Sequence, residues 1–475
     1  MKEQNEYEKI GLRIGLECHQ QMTGKKLFCG CPAMIKNDPP DFMFTRQLRA
    51  SASELGKTDA AAAFEEQKKK YFVYESYHEV NCLVDMDEEP PSDMNKEALQ
   101  IALQVALLLH AKPVNVVCVM RKVVVDGSNV SGFQRTALIA LDGYIETSLG
   151  KVSIPTIAVE EESAKKVETT KDYVKYNISR LGIPLVEIAT GPDIKSPEHA
   201  KETAGLLGMV LRSVKGIKTG LGSIRQDVNL SINGHQRVEI KGFQDLYSIP
   251  KVIKFEMERQ KQVLQKKEKT DGHVRKAEPD FTTSFLRPMP GAARLYPETD
   301  VRPVPLLQNM LDAIVLPKLV AEEVESLGEE HKLSPELARE ILKRKINIDQ
   351  YVRDFPKLEA KYIAFFLVDI PKGLKTRFQL DVSETQLNFM LHLVNEGKIL
   401  KDFALQALVE YITKGSFDPE NYKIISDDEI EQEIKKVVLE NKGASINALM
   451  GKIMQKYKGK VEVMKVVAFI KKYSG

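Results

Sequence analysis

Acidic side chains and a histidine recur on one face of several predicted strands, a pattern that could bind a divalent cation or move a proton. In the run Arg13–Met22, side chains alternate between two faces, so Glu17 and His19 lie together on the face opposite the apolar residues. On its own, such a pair is also typical of an ordinary solvated sheet face.

Other predicted strands repeat this arrangement of charged residues. Their polar faces carry Glu160–Glu162, Glu187, Arg225, Asp227, Asn229, Glu239 and Lys241. Carboxylates placed near Arg and Lys suit Mg²⁺ bound together with a phosphorylated nucleotide. The sequence contains no GxxxxGK[ST], GxGxxG, HExxH or GxSxG motif, so any ATP site would belong to another fold.

Five cysteines at irregular spacing do not favour a disulfide framework and fit a reducing cytoplasm. Cys29 and Cys31 form a two-thiol turn, and Cys82 follows with His78 four residues before it. These residues could hold a structural Zn²⁺, which takes four Cys or His ligands. Thiols packed as small apolar groups are the alternative. The two remaining cysteines fall in the apolar phase of predicted strands and are expected in the core: Cys18 and Cys118.

The elements that must position these residues change character at about residue 305. Before it, a period of two predicts strands at Arg13–Met22, Val114–Val125, Lys151–Glu160, Pro184–Ala189, Ser223–Ile232 and Gln236–Lys241, with helices at Met94–His110 and Ser196–Ser213. After it, the period predicts helices at Ser334–Lys343, Glu384–Asn395, Lys401–Thr413, Glu431–Glu440 and Ser445–Lys456. Gly, Pro and charged residues indicate linkers at Pro371–Phe378 and Gly415–Tyr422.

The 475 residues are enough for two to four domains, and the net charge of +2 requires any nucleic-acid site to be a local patch. Ile434–Gly475 holds ten Lys and two acids, a local charge of +8. These lysines could bind a phosphate backbone or form a solvated helical face. The sequence has neither an apolar signal core near its start nor a run approaching the ~20 apolar residues of a membrane span, so we expect a soluble cytoplasmic protein.

Several motifs together resemble the B/E family of tRNA-dependent amidotransferases, in its archaeal branch. They are Ile14–Gln21, Lys26–Pro32, Cys82–Pro91, Val159–Lys166, Tyr176–Ile194, Gly222–Ile232, Val238–Phe243 and Leu286–Val301. They occur in order over nearly the whole chain. The resemblance implies an α+β protein with a mixed-sheet cradle domain (1–305), an all-α helical domain (306–398) and an all-α YqeY-like tail (399–475) that touches tRNA.

The resemblance also implies roles for individual residues. As catalytic residues it implies Glu17, His19, Glu161, Glu187, Asp227 and Lys241, the first four also as Mg²⁺ ligands. The choice of Glu161 within Glu160–Glu162 is open by one position. As residues that bind ATP or another cofactor it implies Asn177, Arg180, Arg225 and Glu239, and as tRNA contacts in the tail Lys442, Lys452, Lys456 and Lys458.

The implied reaction uses ATP and Mg²⁺ to phosphorylate the glutamyl side chain of Glu-tRNA(Gln), and ammonia then displaces the phosphate to give Gln-tRNA(Gln). The sequence shows no amidase or glutaminase signature, so a partner must supply ammonia. The archaeal pattern implies an asparaginase-like partner (the D subunit), in a heterotetramer, rather than an amidase-type partner. The alternatives are a non-catalytic tRNA-binding scaffold and a metal-dependent ligase that acts on a small carboxylate without RNA.

The chain departs from the archaeal pattern in one large respect. Relatives carry an inserted domain resembling part of aspartyl-tRNA synthetase near the Leu286–Val301 motif, whereas here helices follow that motif directly. We therefore expect the inserted domain to be absent and the tail to carry more of the tRNA contact.

Overall fold

The computed structural model describes residues 2–50, 56, 58–243, 245–291, 295–416, 418, 422, 426–441, 443–457, 460–461 and 463–474. Within these residues, strands dominate before about residue 305 and helices after it. The predicted α+β class is confirmed.

The strands are β1 (Arg13–Gln21), β2 (Phe42–Arg46), β3 (Tyr71–Ser76), β4 (Lys112–Pro113), β5 (Val116–Val117), β6 (Val119–Val123), β7 (Phe133–Thr147), β8 (Gly150–Glu161), β9 (Lys165–Thr169), β10 (Tyr173–Asn177), β11 (Pro184–Ala189), β12 (Ile224–Ser231), β13 (Val238–Phe243), β14 (His273–Ala277), β15 (Thr283–Pro288), β16 (Leu295–Pro297) and β17 (Val304–Pro305). The helices are α1 (Lys2–Lys9), α2 (Ala60–Glu66), α3 (Lys96–Leu108), α4 (Pro197–Ser213), α5 (Ser248–Gln265), α6 (Gln308–Asp312), α7 (Val320–His331), α8 (Pro335–Lys343), α9 (Ile348–Asp354), α10 (Ala360–Phe378), α11 (Glu384–Asn395), α12 (Ala404–Lys414), α13 (Asp427–Glu440), α14 (Ile446–Tyr457) and α15 (Val463–Ser474). A 3₁₀ turn at Lys401–Phe403 precedes α12.

A mixed eleven-stranded sheet forms the centre of the first part of the chain. Its order is β15-β14-β13-β12-β1-β11-β8-β7-β6-β16, with β4 also paired to β7. Most pairs are antiparallel, and β13 with β14 is a parallel pair. A second sheet has the order β2-β3-β10-β9, and β17 pairs with β5.

One face of the large sheet is apolar and covered by helices. In β1, Ile14, Leu16 and Cys18 are almost fully buried, as their alternation predicts. Helices α3, α4 and α5 pack against this sheet. Helix α4 begins where the sequence predicts, since the Ser196 hydroxyl caps it by accepting from the backbone N–H of His199 at 3.0 Å. The opposite face of the sheet is left to polar side chains.

The chain divides into two compact units, residues 1–320 and 321–475. In the second unit, the predicted linker Pro371–Phe378 is wrong, because these residues form the last turns of α10. Ile363, Ile370 and Leu374 continue one buried face of that helix, so its packing outweighs the cost of Pro371.

The described part of the other predicted linker includes Gly415, whose φ of 69° ends α12, whereas residues 417 and 419–421 lie outside the described residues. The predicted division of the helical part at residue 398 stays a prediction. Among the described residues, no helix is both long and apolar enough to cross a bilayer.

Candidate functional site

A row of polar side chains crosses seven neighbouring strands on the uncovered face of the large sheet. The row consists of Lys122 (β6), Gln134 (β7), Glu160 (β8), Glu187 (β11), Glu17 and His19 (β1), Asp227 and Asn229 (β12), and Glu239 and Lys241 (β13). The strand register brings these residues together, because His19 pairs with Glu187 on one side and Glu17 with Asp227 on the other. We call this set the polar row.

Glu17 lies at the centre of the row and belongs to two groups of potential cation ligands. In the first cluster, Glu17, His19 and Glu187 offer ligand atoms that all lie within 4.8 Å of one another. In the second cluster, Glu17, Asp227 and Glu239 do the same. Two adjacent groups of oxygen and imidazole ligands could hold Mg²⁺ and orient the phosphate oxygens of a substrate.

Glu187 and Glu160 form a hydrogen-bonded pair of carboxyl groups. Burial and then the charge of Glu160 raise the pKa of Glu187 well above its ordinary value. Burial also opposes ionisation of Glu160, but the Lys122 charge and the bond from Glu187 outweigh it and lower the pKa of Glu160. Without a bound cation, the pair therefore holds one proton, on Glu187, at any pH below that raised pKa.

The prediction that Glu161 joins Glu17 and His19 is not what the structure shows. Glu161 lies on the opposite face of β8, where it accepts from the backbone N–H of Arg135 at 3.1 Å and from its guanidinium at 3.3 Å. Its neighbour Glu160 takes the expected place, because one residue of register moves a side chain to the other face.

His19 is poised as a neutral ligand. Burial lowers its pKa and outweighs the opposing charges of Asp227 and Glu160. Its Nε2 lies 4.0 Å from the Glu187 carboxylate. A neutral imidazole keeps a lone pair that can bind a cation at neutral pH.

Lys241 balances part of the negative charge of the second cluster. Its Nζ lies 2.7 Å from Asp227 Oδ2 and also contacts the Glu239 carboxylate. Burial would lower the pKa of Lys241, but the charges of Asp227, Glu239 and Glu17 raise it, so the amine stays protonated. Asn229 donates to Glu17 Oε1 at 2.9 Å and favours the ionised form of Glu17, against burial and the charge of Glu239, which raise the pKa of Glu17.

Two predicted arginines lie beside the row and not within it. Arg225 is the register partner of His19 and ion-pairs with Glu162 at 3.1 Å. Arg180 donates to the backbone oxygens of Ser163 and Ala164 at 2.7 and 2.9 Å. Arg225 is about a third exposed and can reach a ligand. Arg180 instead holds the segment that follows β8.

Asn177 lies in the other sheet, and its predicted role in cofactor binding is not supported by its surroundings. Its Nδ2 donates to Lys36 O and to the Tyr77 hydroxyl, both at 2.9 Å. Its Oδ1 accepts from the N–H and hydroxyl of Ser179. All four of its hydrogen-bonding positions are used within the protein.

The thiols of Cys29, Cys31 and Cys82 come together with the carboxylate of Asp85, all within 4.8 Å of one another. A hydrogen bond from Cys29 lowers the pKa of Cys82 to about 6, against burial and the charge of Asp85. The hydrogen bond to Cys82 and burial raise the pKa of Cys29, and burial raises the pKa of Cys31 to about 11. Thiolate is the form that binds Zn²⁺, so zinc would displace protons from these two thiols, and the number and type of donor atoms fit one zinc ion with three sulfur ligands.

Two predictions about neighbouring residues are wrong. His78 is exposed, its ring lies 5.4 Å from that of Phe42, and Asp85 takes the fourth position of the cluster. Cys118 is exposed because it alternates with buried Val117 and Val119, whereas Cys18 is buried as predicted.

In the tail, the predicted tRNA-contact residues Lys442 and Lys458 lie outside the described residues. Lys456 is exposed and ion-pairs with Glu433 at 2.7 Å, and Lys452 donates to Asn441 Oδ1 at 2.5 Å. Acids at the start of α13 contact other lysines of the tail. Residues 427–475 therefore hold ten Lys and seven acids, so this helical group has a charge of +3, less than the predicted segment alone.

Sequence reasoning missed Lys122, Gln134 and Asp85. Gln134 Nε2 donates to Glu160 at 3.1 Å, beside the Lys122–Glu160 ion pair. Asp85 also pairs with Lys26 at 3.0 Å, and both side chains are almost fully buried. Asp85 lies within the Cys82–Pro91 motif, and this position is the only sequence feature that indicates a role for it. No sequence feature near Lys122 indicates its role, because its partner Glu160 is distant in sequence.

Comparisons with known proteins cover most of the chain. A family model described as the GatB/GatE catalytic domain matches residues 12–312, and one described as a GatB domain matches residues 347–473. The chain is 33% identical to the E subunit of glutamyl-tRNA(Gln) amidotransferase from Methanocaldococcus jannaschii, over 96% of this chain and 97% of the relative. The E subunits from Methanosarcina acetivorans and Archaeoglobus fulgidus are 34% and 33% identical, over 97% and 98% of this chain and the same shares of the relatives.

The relatives are longer than this chain in their interior. The alignment with the Methanocaldococcus jannaschii relative spans 611 positions, so at least 136 of them (611 minus 475) have no counterpart among the 475 residues here. The predicted absence of an internal domain agrees with this difference.

Proposed function

The chain belongs to the GatB/GatE family of tRNA-dependent amidotransferases, and on that premise we propose that it converts Glu-tRNA(Gln) to Gln-tRNA(Gln) with ATP, Mg²⁺ and ammonia. In this proposal the glutamyl side chain is first activated as an acyl phosphate. The polar row with its two clusters around Glu17 is the observation that carries the proposal.

The chemistry of the row matches the needs of this reaction. A carboxylate reacts poorly with ammonia because its oxygen leaves poorly, whereas the phosphate of an acyl phosphate leaves readily. Phosphoryl transfer depends on positioning and on neutralising charge, and a covalent nucleophile on the protein is not needed.

Individual residues can be assigned to these tasks. Glu17, His19 and Glu187, with Glu160 behind them, would hold Mg²⁺, which when bound neutralises phosphate charge. Asp227 and Glu239 hold the Lys241 amine in place beside Glu17. Lys241 and the partly exposed Arg225 would neutralise phosphate oxygens, since both are cations next to the clusters.

Ammonia must come from a partner protein. At neutral pH free ammonium is protonated and is not a nucleophile, so a protected supply of NH₃ is needed. We propose an asparaginase-like D subunit as that partner, in a heterotetramer, because the relatives are E subunits of an amidotransferase built from several chains and the sequence follows their archaeal pattern.

Two further parts belong to the proposal. The cluster of Cys29, Cys31 and Cys82 would hold a structural Zn²⁺ in the first unit. The lysines of α13–α15 would contact the tRNA backbone, and contacts made by the internal segment of the relatives would be absent here.

The test is conversion of Glu-tRNA(Gln) by the full chain with ATP, Mg²⁺ and a high concentration of ammonium salt. We expect ATP-dependent Gln-tRNA(Gln), lost in His19→Ala and kept in His78→Ala, a matched change of an exposed histidine. Product formed equally without ATP would contradict the proposal. Bound tRNA without product, even after the partner is added, would instead indicate a non-catalytic scaffold.

A further inference from the structure

A pocket of about 290 Å³ opens beside Lys241. Lys241 contacts Asp227 and Glu239 of the second cluster and also lines this pocket, so the two spaces adjoin. The charged residues that line it are five cations and two acids: Lys68, Lys70, Lys166, Lys241, Arg287, Glu65 and Asp126. The pocket therefore has an excess of positive charge next to an acidic cluster.

Three of these cations have no anionic partner among the described residues: Lys70, Lys166 and Arg287. Lys68 is paired with Glu65 at 2.7 Å, and Lys70 donates to a backbone oxygen at 2.6 Å. Arg287 has a buried Nε without a hydrogen-bond acceptor. Lys166 has its Nζ 5.9 Å from the centroid of the Tyr176 ring and has no acid against it among the described residues. Cations without an anionic partner favour a ligand that supplies anionic oxygens.

A β-bulge directs Arg287 into this space. Arg287 pairs with Val274 and Phe285 with Arg275, so Leu286 is an extra residue in β15. In a regular strand, Arg287 would share the face of Phe285, which lies two residues before it. The bulge interrupts the alternation, so Arg287 shares the face of Val274, the register partner of Glu239. The bulge thus brings the guanidinium to the face of the polar row, as bulges beside functional sites do.

Buried strand residues form the apolar part of the pocket. Phe72, Val174 and Tyr176 are buried residues of β3 and β10. The Tyr176 hydroxyl is already used, since it donates to the Asp126 backbone oxygen at 2.8 Å. The donors available to a ligand therefore come from the cations and from the Thr169 hydroxyl, which also lines the pocket.

We propose that Arg287 and Lys166 bind phosphate groups of a substrate in this pocket, next to the second cluster. The proposal rests on the proposed function, in which both substrates carry phosphate: a nucleoside triphosphate and the 3′ end of an RNA. Several cations around one small space suit phosphate, whose oxygens accept from more than one donor.

The test uses tripolyphosphate as the probe and isothermal titration calorimetry with the full chain. We expect Arg287→Gln and Lys166→Gln each to weaken binding about tenfold, the loss typical of a charge-assisted hydrogen bond. Lys165→Gln is the matched control, because Lys165 is the preceding exposed residue of β9, contacts Asn37 and does not line the pocket. Unchanged binding in both pocket variants would overturn the proposal. Lys166 is exposed, so its variant tests the site without threatening the fold.

Competition identifies the source of the phosphate. Displacement of tripolyphosphate by ATP assigns the pocket to the nucleotide, and displacement by a short RNA ending in CCA assigns it to the RNA. Displacement by neither would overturn the proposal. The calorimetry does not depend on amide formation, so its outcome separates this proposal from the proposed function. If both variants bind tripolyphosphate as tightly as wild type while the full chain still converts Glu-tRNA(Gln) to Gln-tRNA(Gln), the pocket assignment is wrong and the proposed function stands.

Discussion

Mg²⁺ binding at the first cluster should release a proton from Glu187. Burial and the Glu160 charge raise the pKa of Glu187, so below that pKa the carboxyl pair of Glu187 and Glu160 holds one proton when no cation is bound. A cation next to this pair favours the ionised form and expels the proton. Glu187→Gln removes that proton while keeping a donor toward Glu160.

The size of the effect follows from linkage. Below the raised pKa, release of one proton makes the Mg²⁺ association constant rise about tenfold per pH unit, or about 1.4 kcal/mol of binding free energy. Binding therefore weakens as the pH falls. Above the raised pKa, Glu187 is already ionised and the dependence disappears. Other titrating groups add the same pH dependence to the Mg²⁺ affinity of wild type and variant. The prediction therefore concerns the difference between the two proteins, which is about one proton released per Mg²⁺.

Calorimetry in buffers of different ionisation enthalpy counts these protons directly. We expect wild type to release about one proton more per Mg²⁺ than Glu187→Gln, and the variant to bind more weakly because it lacks an anionic ligand. Glu198→Gln, a change of an exposed carboxylate on α4, is the control. Equal proton release by wild type and Glu187→Gln would refute the shared-proton interpretation.

Three further predictions concern other parts of the chain. Glu160→Gln should lower ATP-dependent amide formation at least tenfold at saturating substrate, whereas Glu161→Gln should mainly lower the free energy of unfolding, by about 3 kcal/mol, because it leaves a buried arginine less well compensated. Activity assays and denaturant unfolding distinguish the two variants. An equal loss of activity in both would contradict the placement of Glu160 and Glu161 on opposite faces of β8. Cys29→Ser should reduce zinc, measured by elemental analysis, from about one ion per chain to near zero, and a metal-free wild type would remove this site. Lys452→Gln combined with Lys456→Gln should weaken tRNA binding and reduce the slope of log affinity against log salt by about 1 to 2. An unchanged slope in filter binding would show that these lysines do not contact phosphate.

The elements that the sequence predicts correctly are those whose pattern depends only on residues adjacent in sequence. Alternation and flanking residues predict β11 with its observed bounds and β1 to within one residue. The start of α4 follows from a side chain and a proline next to each other in sequence. In contrast, the sequence pattern predicts no helix at α5, since Glu256 and Gln260 lie on its buried face and obscure the apolar period.

The site is predictable in composition and less so in geometry. The types of residue on β1 and β12 indicate a cation and phosphate site, and the register shows that their polar faces adjoin. Within three consecutive glutamates, the sequence cannot fix the phase of the strand, so the prediction names Glu161 where Glu160 belongs. The contact of Lys122 with Glu160 depends on the pairing of β6, β7 and β8, which no local pattern determines.

The charge of the polar row argues for a function over a purely structural role. Its five carboxylates face two lysines, and burial together with the Glu160 charge raises the pKa of Glu187, which favours a proton on that carboxyl group. Burying carboxylates without full compensation lowers stability, and apolar or amide residues of similar size would satisfy a sheet face better. Such an excess is useful where a divalent cation and a phosphorylated substrate complete the balance of charge. It follows that ligand-free protein should become more stable when Glu187 is replaced by Gln, although the same change weakens Mg²⁺ binding, and a residue that only supports the fold would not show these opposite effects.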